Sequence, residues 1–286
     1  MTDSVYFPTR RFCDQVLSRI GVKTVYYDPL VGNRIGELIN NKTRLIFTEC
    51  PGSQSFEMQD IPAIAAAARR RGVWVLLDNT WATPLYFRAF EHGVDVSIQS
   101  ATKYIVGHAD ALLGSVTCNA RATPQVKRTS IALGNATGSE ETFLGLRGLR
   151  TLEVRLQRHQ QSGLEIACWL AQRPEVAEVL HPALPGAPGY EIWRRDFLGA
   201  TGLFSIILKP VSNEALAAML DHLKYFGMGY SWGGYESLIV PFDCSSYRTA
   251  TTWSSAGPAL RLHIGLEDVA DLKADLAAGF ERMRAS

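Results

Sequence analysis

The stretch Val94-Asp95-Val96-Ser97-Ile98-Gln99-Ser100-Ala101-Thr102-Lys103-Tyr104 decides the fold. Apolar residues at 94, 96 and 98 alternate with polar ones, the period of a strand, and the pattern stops at small hydroxyl residues and one lysine. Gln99 to Tyr104 would then leave the carboxyl end of that strand, the place where open α/β sheets bind ligands. A lysine there can lose its proton when desolvated and bond an aldehyde carbon, while Ser100 and Thr102 offer hydroxyls to a phosphate. Alone, the string also describes a surface lysine after an ordinary strand.

Asp78, 25 positions before Lys103, weighs against that plainer reading. It closes Gly72-Val73-Trp74-Val75-Leu76-Leu77-Asp78, a run apolar enough for a strand covered on both faces in a parallel sheet. Its carboxylate would emerge at the same sheet edge as the lysine. Pyridoxal phosphate chemistry uses both groups: a lysine for the aldehyde carbon, and a carboxylate that keeps the pyridine nitrogen protonated. Arg69, Arg70 and Arg71 read as the solvated end of the preceding helix.

The chain has 286 residues, 47% of them hydrophobic, enough for one large domain or two smaller ones. Lys and Arg number 29 against 28 Asp and Glu, so a net charge of +1 offers nucleic acid or an anionic membrane no electrostatic attraction. A small-molecule substrate is expected instead. Five scattered cysteines without a C-x-x-C pair point to a reducing cytoplasm, and the six histidines show no metal-ligand spacing, so no metal is expected. No run reaches transmembrane length, and no signal peptide is visible.

Strand, helix, strand, helix is the order expected along the first half: a helix over 11–20, strands over 22–27 and 44–48, and a helix capped by Asp60 with Pro62 in its first turn. Leu149, Leu152, Leu156, Ile166 and Leu170 share one helical face. They predict one long helix over 146–175 joining a cofactor-binding α/β domain (1–145) to a C-terminal α+β domain (176–286). In the latter, strands over 202–209, 237–240 and 260–264 alternate with helices over 213–225 and 268–283.

Several strings match one family in its order: Tyr6-Phe7-Pro8-Thr9-Arg10, Tyr27-Asp28-Pro29, Asp78-Asn79-Thr80-Trp81-Ala82-Thr83-Pro84, Ser100-Ala101-Thr102-Lys103-Tyr104, Gly107-His108-Ala109-Asp110, Gly148-Leu149-Arg150-Thr151-Leu152 and Arg261-Leu262-His263-Ile264-Gly265-Leu266-Glu267. Together they resemble the pyridoxal-phosphate-dependent transsulfuration enzymes of cysteine and methionine metabolism. Glu49-Cys50-Pro51-Gly52-Ser53, Ala183-Leu184-Pro185-Gly186 and Ser231-Trp232-Gly233-Gly234-Tyr235-Glu236-Ser237-Leu238 look most like the bacterial cystathionine β-lyase branch. The resemblance implies an aspartate-aminotransferase-like α/β fold (fold type I) and a carbon–sulfur lyase acting on a small sulfur amino acid. It also implies a homo-oligomer, a dimer of dimers when full length.

Residue roles follow from that resemblance. Lys103 would hold the cofactor and later act as base, Asp78 would pair with the pyridinium, and Tyr6 would stack on the ring. Ser100 and Thr102 would bind phosphate, and Arg261 would clamp the substrate carboxylate with two parallel hydrogen bonds. Tyr230, Ser231 and Trp232 would wall the pocket. Relatives carry a segment ahead of the Tyr6 string, with a phosphate-binding glycine loop and a tyrosine and an arginine lent to the neighbouring subunit. The chain is therefore expected to be a truncated form, with a non-catalytic homologue as the alternative.

One motif competes. Gly229-Tyr230-Ser231-Trp232-Gly233 satisfies G-x-S-x-G, and Asp243 and His263 follow in the chain order of an α/β-hydrolase triad. The nucleophile elbow needs a strand before the serine and a helix after it. Here a helical pattern precedes and a strand follows, so the hydrolase is not expected.

Overall fold

The computed structural model describes residues 1–286. Strands β1 (Leu45–Glu49), β2 (Trp74–Asp78) and β3 (Val96–Ser100) run parallel, and β4 (Gly114–Cys118) pairs antiparallel with β3 at one edge. Glu49 lies opposite Asp78, and Asp78 opposite Ile98, so the three carboxyl ends form one edge. Val75 and Leu77 bury completely on one face of β2, whereas Leu76 and Asp78 on the other remain half-buried.

Helices α1 (Phe7–Gln15) and α2 (Ile35–Leu38) precede that sheet, and α3 (Ile61–Arg70) crosses between its first two strands. Asp60 caps α3 by accepting the Ala63 amide at 3.1 Å, and Ile61, Ile64, Ala65 and Ala68 face the core at helical spacing. Each fully buried isoleucine there contributes about 1.5–3 kcal/mol over its exposed state. Arg69, Arg70 and Arg71 are exposed, as expected.

β3 shows where alternation misleads. The period-two reading gives the strand, but Ser97 and Gln99 are buried and Ile98 only half so. Both faces are covered, and the Gln99 side chain donates to the Asn79 carbonyl at 3.0 Å. The helix expected over 11–20 starts earlier, at Phe7, with Pro8 in its first turn, and gives way to a 3-10 turn over Leu17–Ile20. The strand expected over 22–27 does not form. Only Val25 and Tyr27 bond to Met1–Asp3, a single bridge too short to make a ladder, and residues 22–24 have no partner strand.

After α4 (Thr83–Tyr86) and α5 (Thr123–Ala132), the expected single connecting helix is two: α6 (Ser139–Leu149) and α7 (Leu152–Leu170). Leu149 belongs to α6 and is half exposed, while Leu152, Leu156, Ile166 and Leu170 form the buried face of α7. Arg155, on that same buried face, explains the corner. Its guanidinium donates to the carbonyl oxygens of Gly148 (2.8 Å) and Tyr104 (2.7 Å), and its Nε to the Thr151 hydroxyl (3.0 Å). At the corner the Gly148 carbonyl also accepts the Thr151 amide at 3.1 Å, a tightened last turn whose free carbonyl the guanidinium takes up.

The second sheet has the order β5-β6-β8-β7, all antiparallel, from β5 (Val176–Leu180), β6 (Leu203–Leu208), β7 (Leu238–Phe242) and β8 (Ala259–His263). Helices α8 (Tyr190–Asp196), α9 (Asn213–Leu220) and α10 (Val269–Ala285) accompany it. β5 and α8 were not expected from the sequence. α9 stops short of residue 225 because Asp275 of α10 accepts the amides of Lys224 and Tyr225 instead. The two sheets are stitched by Trp81 Nε1 to the Leu203 carbonyl at 2.8 Å and by Ser205 Oγ to the Gln54 carbonyl at 2.7 Å.

Candidate active site

Lys103 stands in a tight turn directly after β3, its amide donating to the Ser100 carbonyl at 3.0 Å. Arg155 secures this turn from beneath through the Tyr104 carbonyl, and Gly107, at φ +73°, leaves the space the guanidinium fills. Above it lies the loop 230–234. Gly233 has φ +85°, and a Cβ there would sit 2.9 Å from the Lys103 Cα, so only glycine lets the loop press this close. The Gly233 amide donates to His263 Nε2 at 3.1 Å, which pins the loop from the other side. The Gly234 carbonyl lies 3.1 Å from the same nitrogen, and burial, with His159, Arg261 and Lys103 nearby, holds His263 well below its ordinary value.

The lysine amine donates to Ser231 Oγ at 2.7 Å and lies 5.4 Å from the centre of the Trp232 ring. Burial first, then the Arg261 charge, lowers its pKa from 10.5 to about 8. Arg261 is itself buried in β8, where its Nη2 donates to the Tyr230 carbonyl at 2.8 Å. No carboxylate lies within 4.0 Å of it, and burial draws its pKa down to about 10. A desolvated guanidinium without a counter-ion is a site for an anion.

At the sheet edge Asp78 Oδ1 accepts from the Thr80 amide (3.0 Å) and the Thr80 hydroxyl (2.5 Å). That hydroxyl in turn accepts from the Ser100 amide at 2.8 Å, tying β3 to the Asp78 turn. Burial raises the Asp78 pKa against the lowering effect of Thr80, and no basic side chain pairs with it. The Ser100 hydroxyl makes no hydrogen bond to the protein, leaving it free for a phosphate. The Thr102 hydroxyl is engaged: it donates to the Leu113 carbonyl at 3.2 Å and accepts the Leu113 amide at 2.9 Å. To donate to a phosphate it would have to give up the first of these bonds. Tyr6 sits at the start of α1, its side chain half exposed and its amide bonded to Glu49 Oε2 at 2.7 Å.

Sequence reasoning passed over Glu49, Thr80 and Arg155, and named His263 only as a candidate for the hydrolase triad. Glu49 carried the same signal as Asp78, an acid closing a strand. Arg155 and His159 were visible as polar residues on the apolar stripe of α7. For His263 the only signal was its place two residues after Arg261, on the same face of one strand.

The hydrolase constellation is absent. Ser231 is bonded to Lys103, His263 to the backbone of Gly233 and Gly234, and Asp243 to the amide and hydroxyl of Ser245. Ser231→Ala is therefore expected to reduce lyase turnover by no more than ~10-fold, the loss of one modest hydrogen bond. An esterase activity that Ser231→Ala abolished would instead restore the serine as nucleophile.

A neutralisable lysine, an uncompensated carboxylate, a free hydroxyl at a strand end and an unpaired arginine suit one kind of group: a ring carrying an aldehyde, a basic nitrogen and a phosphate, with an amino acid beside it. A family model, Cys/Met metabolism PLP-dependent enzyme, matches residues 1–281. The chain is 47% identical over 289 residues to the cystathionine beta-lyase MetC of Escherichia coli (strain K12), covering 99% of this chain and 73% of that protein. It is 46% identical over 289 residues to the cystathionine beta-lyase of Salmonella typhimurium (strain LT2), with the same coverage of 99% and 73%. The crystal structure of cystathionine gamma synthase from Xanthomonas oryzae pv. oryzae in complex with aminoacrylate and cysteine superposes with a TM-score of 0.91 at 30% identity, covering 99% of this chain and 75% of that one. The chain belongs to the Cys/Met metabolism PLP-dependent enzymes, and its mixed, mostly parallel first sheet is that of fold type I.

Proposed function

We propose that the chain is a carbon–sulfur β-lyase that converts cystathionine and water to homocysteine, pyruvate and ammonia. The observation that carries this is the buried, counter-ion-free Arg261 beside a lysine whose amine is partly desolvated. The similarity to two cystathionine beta-lyases supports the choice within the family.

Pyridoxal phosphate, when bound, supplies an electron-accepting ring that makes the substrate's Cα–H acidic. Lys103 Nζ is the group that would hold its aldehyde carbon; freed and neutral, it is the base that takes the Cα proton. Arg261 would bind the α-carboxylate and fix Cα within the lysine's reach. Asp78 would accept from the ring N–H, Tyr6 would cover a ring face, and Ser100, with Thr102, would donate to the phosphate. Ser231 keeps the lysine amine on the substrate side, and Tyr230 and Trp232 wall the pocket against water.

No helix is long and apolar enough to cross a membrane. We place the protein in the reducing cytoplasm, which suits its five free cysteines, and as a homo-oligomer, which suits exposed apolar residues such as Ile131, Leu133 and Phe143. We also keep the division into two domains on either side of α6 and α7, since the second sheet packs a cluster of its own, while the first sheet's cluster takes in only Ala183, Phe197, Ala200 and Leu203 from beyond it.

Cystathionine given to the cofactor-loaded protein should yield pyruvate and homocysteine in equal amounts. Release of 2-oxobutyrate and cysteine would instead make it a γ-lyase, and pyruvate from cysteine or cystine alone a desulfhydrase. Accumulation of cystathionine from cysteine and an activated homoserine ester would make it a γ-synthase. No turnover of any of these would indicate a non-catalytic homologue.

A further inference from the structure

Glu49 ends β1 as Asp78 ends β2, and the two are direct partners in the parallel register. Neighbouring strands lie ~4.8 Å apart and paired residues point to the same face, so the sheet edge presents two carboxylates side by side. Neither has a basic side chain within 4.0 Å. Burial, and then the Asp78 charge, pushes the Glu49 carboxyl well up, while the Tyr6 amide pulls it down. Two carboxylates paired at one strand edge make that edge the place where a ring nitrogen and its neighbours would be met.

One thing Glu49 does is visible. Its Oε2 takes the Tyr6 amide at 2.7 Å. The Tyr6 carbonyl accepts the Thr9 and Arg10 amides, so this residue is where α1 starts, and its half-exposed side chain makes no hydrogen bond. The α1 bonds orient Tyr6 within its helix, and the bond to Glu49 is the one that ties it to the strand end. Asp78 is fixed at the same edge by Thr80.

We propose that Glu49 is a positioning residue of the active site: it holds Tyr6 by its amide in register with Asp78, so that the group covering the cofactor ring and the group pairing with its nitrogen are placed as one unit. This rests on the cofactor assignment made above for Tyr6 and Asp78. Glu49 acts through Tyr6, and an uncharged acceptor of the same shape can do its work.

The test is a double-mutant cycle on the cofactor-loaded enzyme, reading kcat and KM for cystathionine and the visible absorption band, with thermal midpoints as a control. Glu49→Ala should lower kcat/KM by on the order of tenfold, the loss of one hydrogen bond. Glu49→Gln, whose amide oxygen can still accept, should stay within ~3-fold of the parent. In a Tyr6→Ala background, Glu49→Ala should cost less than ~2-fold, because there is no ring left to position. Equal costs with and without the Tyr6 ring overturn the proposal, as does a Glu49→Gln variant as impaired as Glu49→Ala. Should Glu49→Ala not fold, Glu49→Met, of similar length and without an acceptor oxygen, replaces it in the cycle. The band separates this from the cofactor assignment: a parent without a band that depends on Lys103 overturns both, whereas an intact band with additive losses overturns only the role of Glu49.

Discussion

Replacing Lys103 by alanine is expected to remove the visible absorption of the cofactor-loaded protein and to lower pyruvate release at least ~10³-fold. General-base removal alone is worth about 10²–10⁴, and the covalent hold on the cofactor goes with it. The fold should survive, because the turn is held by the backbone bond to Ser100 and by Arg155 rather than by the lysine side chain. A variant that keeps a band of equal strength would take Lys103 out of its role. The lowered pKa adds a pH signature. Only the neutral amine attacks an aldehyde, and with a pKa near 8 the rate of cofactor attachment should rise ~10-fold per pH unit up to pH 8 and then level off. An unperturbed lysine would keep gaining beyond pH 10, so stopped-flow attachment rates between pH 6.5 and 10 distinguish the two.

Arg261→Lys should cost ~10- to 150-fold in kcat/KM for the amino-acid substrate while cofactor affinity changes little. A point charge cannot reproduce two parallel hydrogen bonds to a carboxylate, and one lost charge-assisted bond is worth about 1.5–3 kcal/mol. The deficit should fall mainly on KM. Arg261 also holds the Tyr230 carbonyl, so the loop carrying Ser231 and Trp232 loosens with it, and some loss of kcat is expected too. Unchanged kinetics would move the carboxylate site elsewhere, and an equal loss of cofactor affinity would make Arg261 a cofactor residue.

Much of the fold could be read from local pattern. Apolar runs that end in Asp78 and in Ser100 to Lys103 mark strands whose carboxyl ends must share an edge, because parallel strands joined by helices leave no other arrangement. The Asp60 cap, the Ala-rich α3 and the alternation of strands and helices after residue 200 are also written locally. So are Lys103, Asp78 and Arg261, since Asp78 and Lys103 stand at the ends of strand patterns and Arg261 is a charge set into an apolar one.

What the linear chain by itself left undecided depends on contacts distant in sequence. Whether residues 22–27 form a strand was settled by the lack of a long neighbour, and whether 146–175 is one helix by where Arg155 finds its carbonyl acceptors. The G-x-S-x-G string fits a nucleophile as well as a pocket wall until His263 is seen facing Gly233 and Ser231 facing Lys103, 128 residues away. Glu49 became a site residue only when strand pairing set it beside Asp78 and the chain's fold returned the Tyr6 amide to it. Local pattern determines which charges leave strands at the ligand edge, because periodicity and burial are properties of a few neighbouring residues. Which partners those charges meet is decided by packing, because a hydrogen bond depends on distance in space and not on distance along the chain.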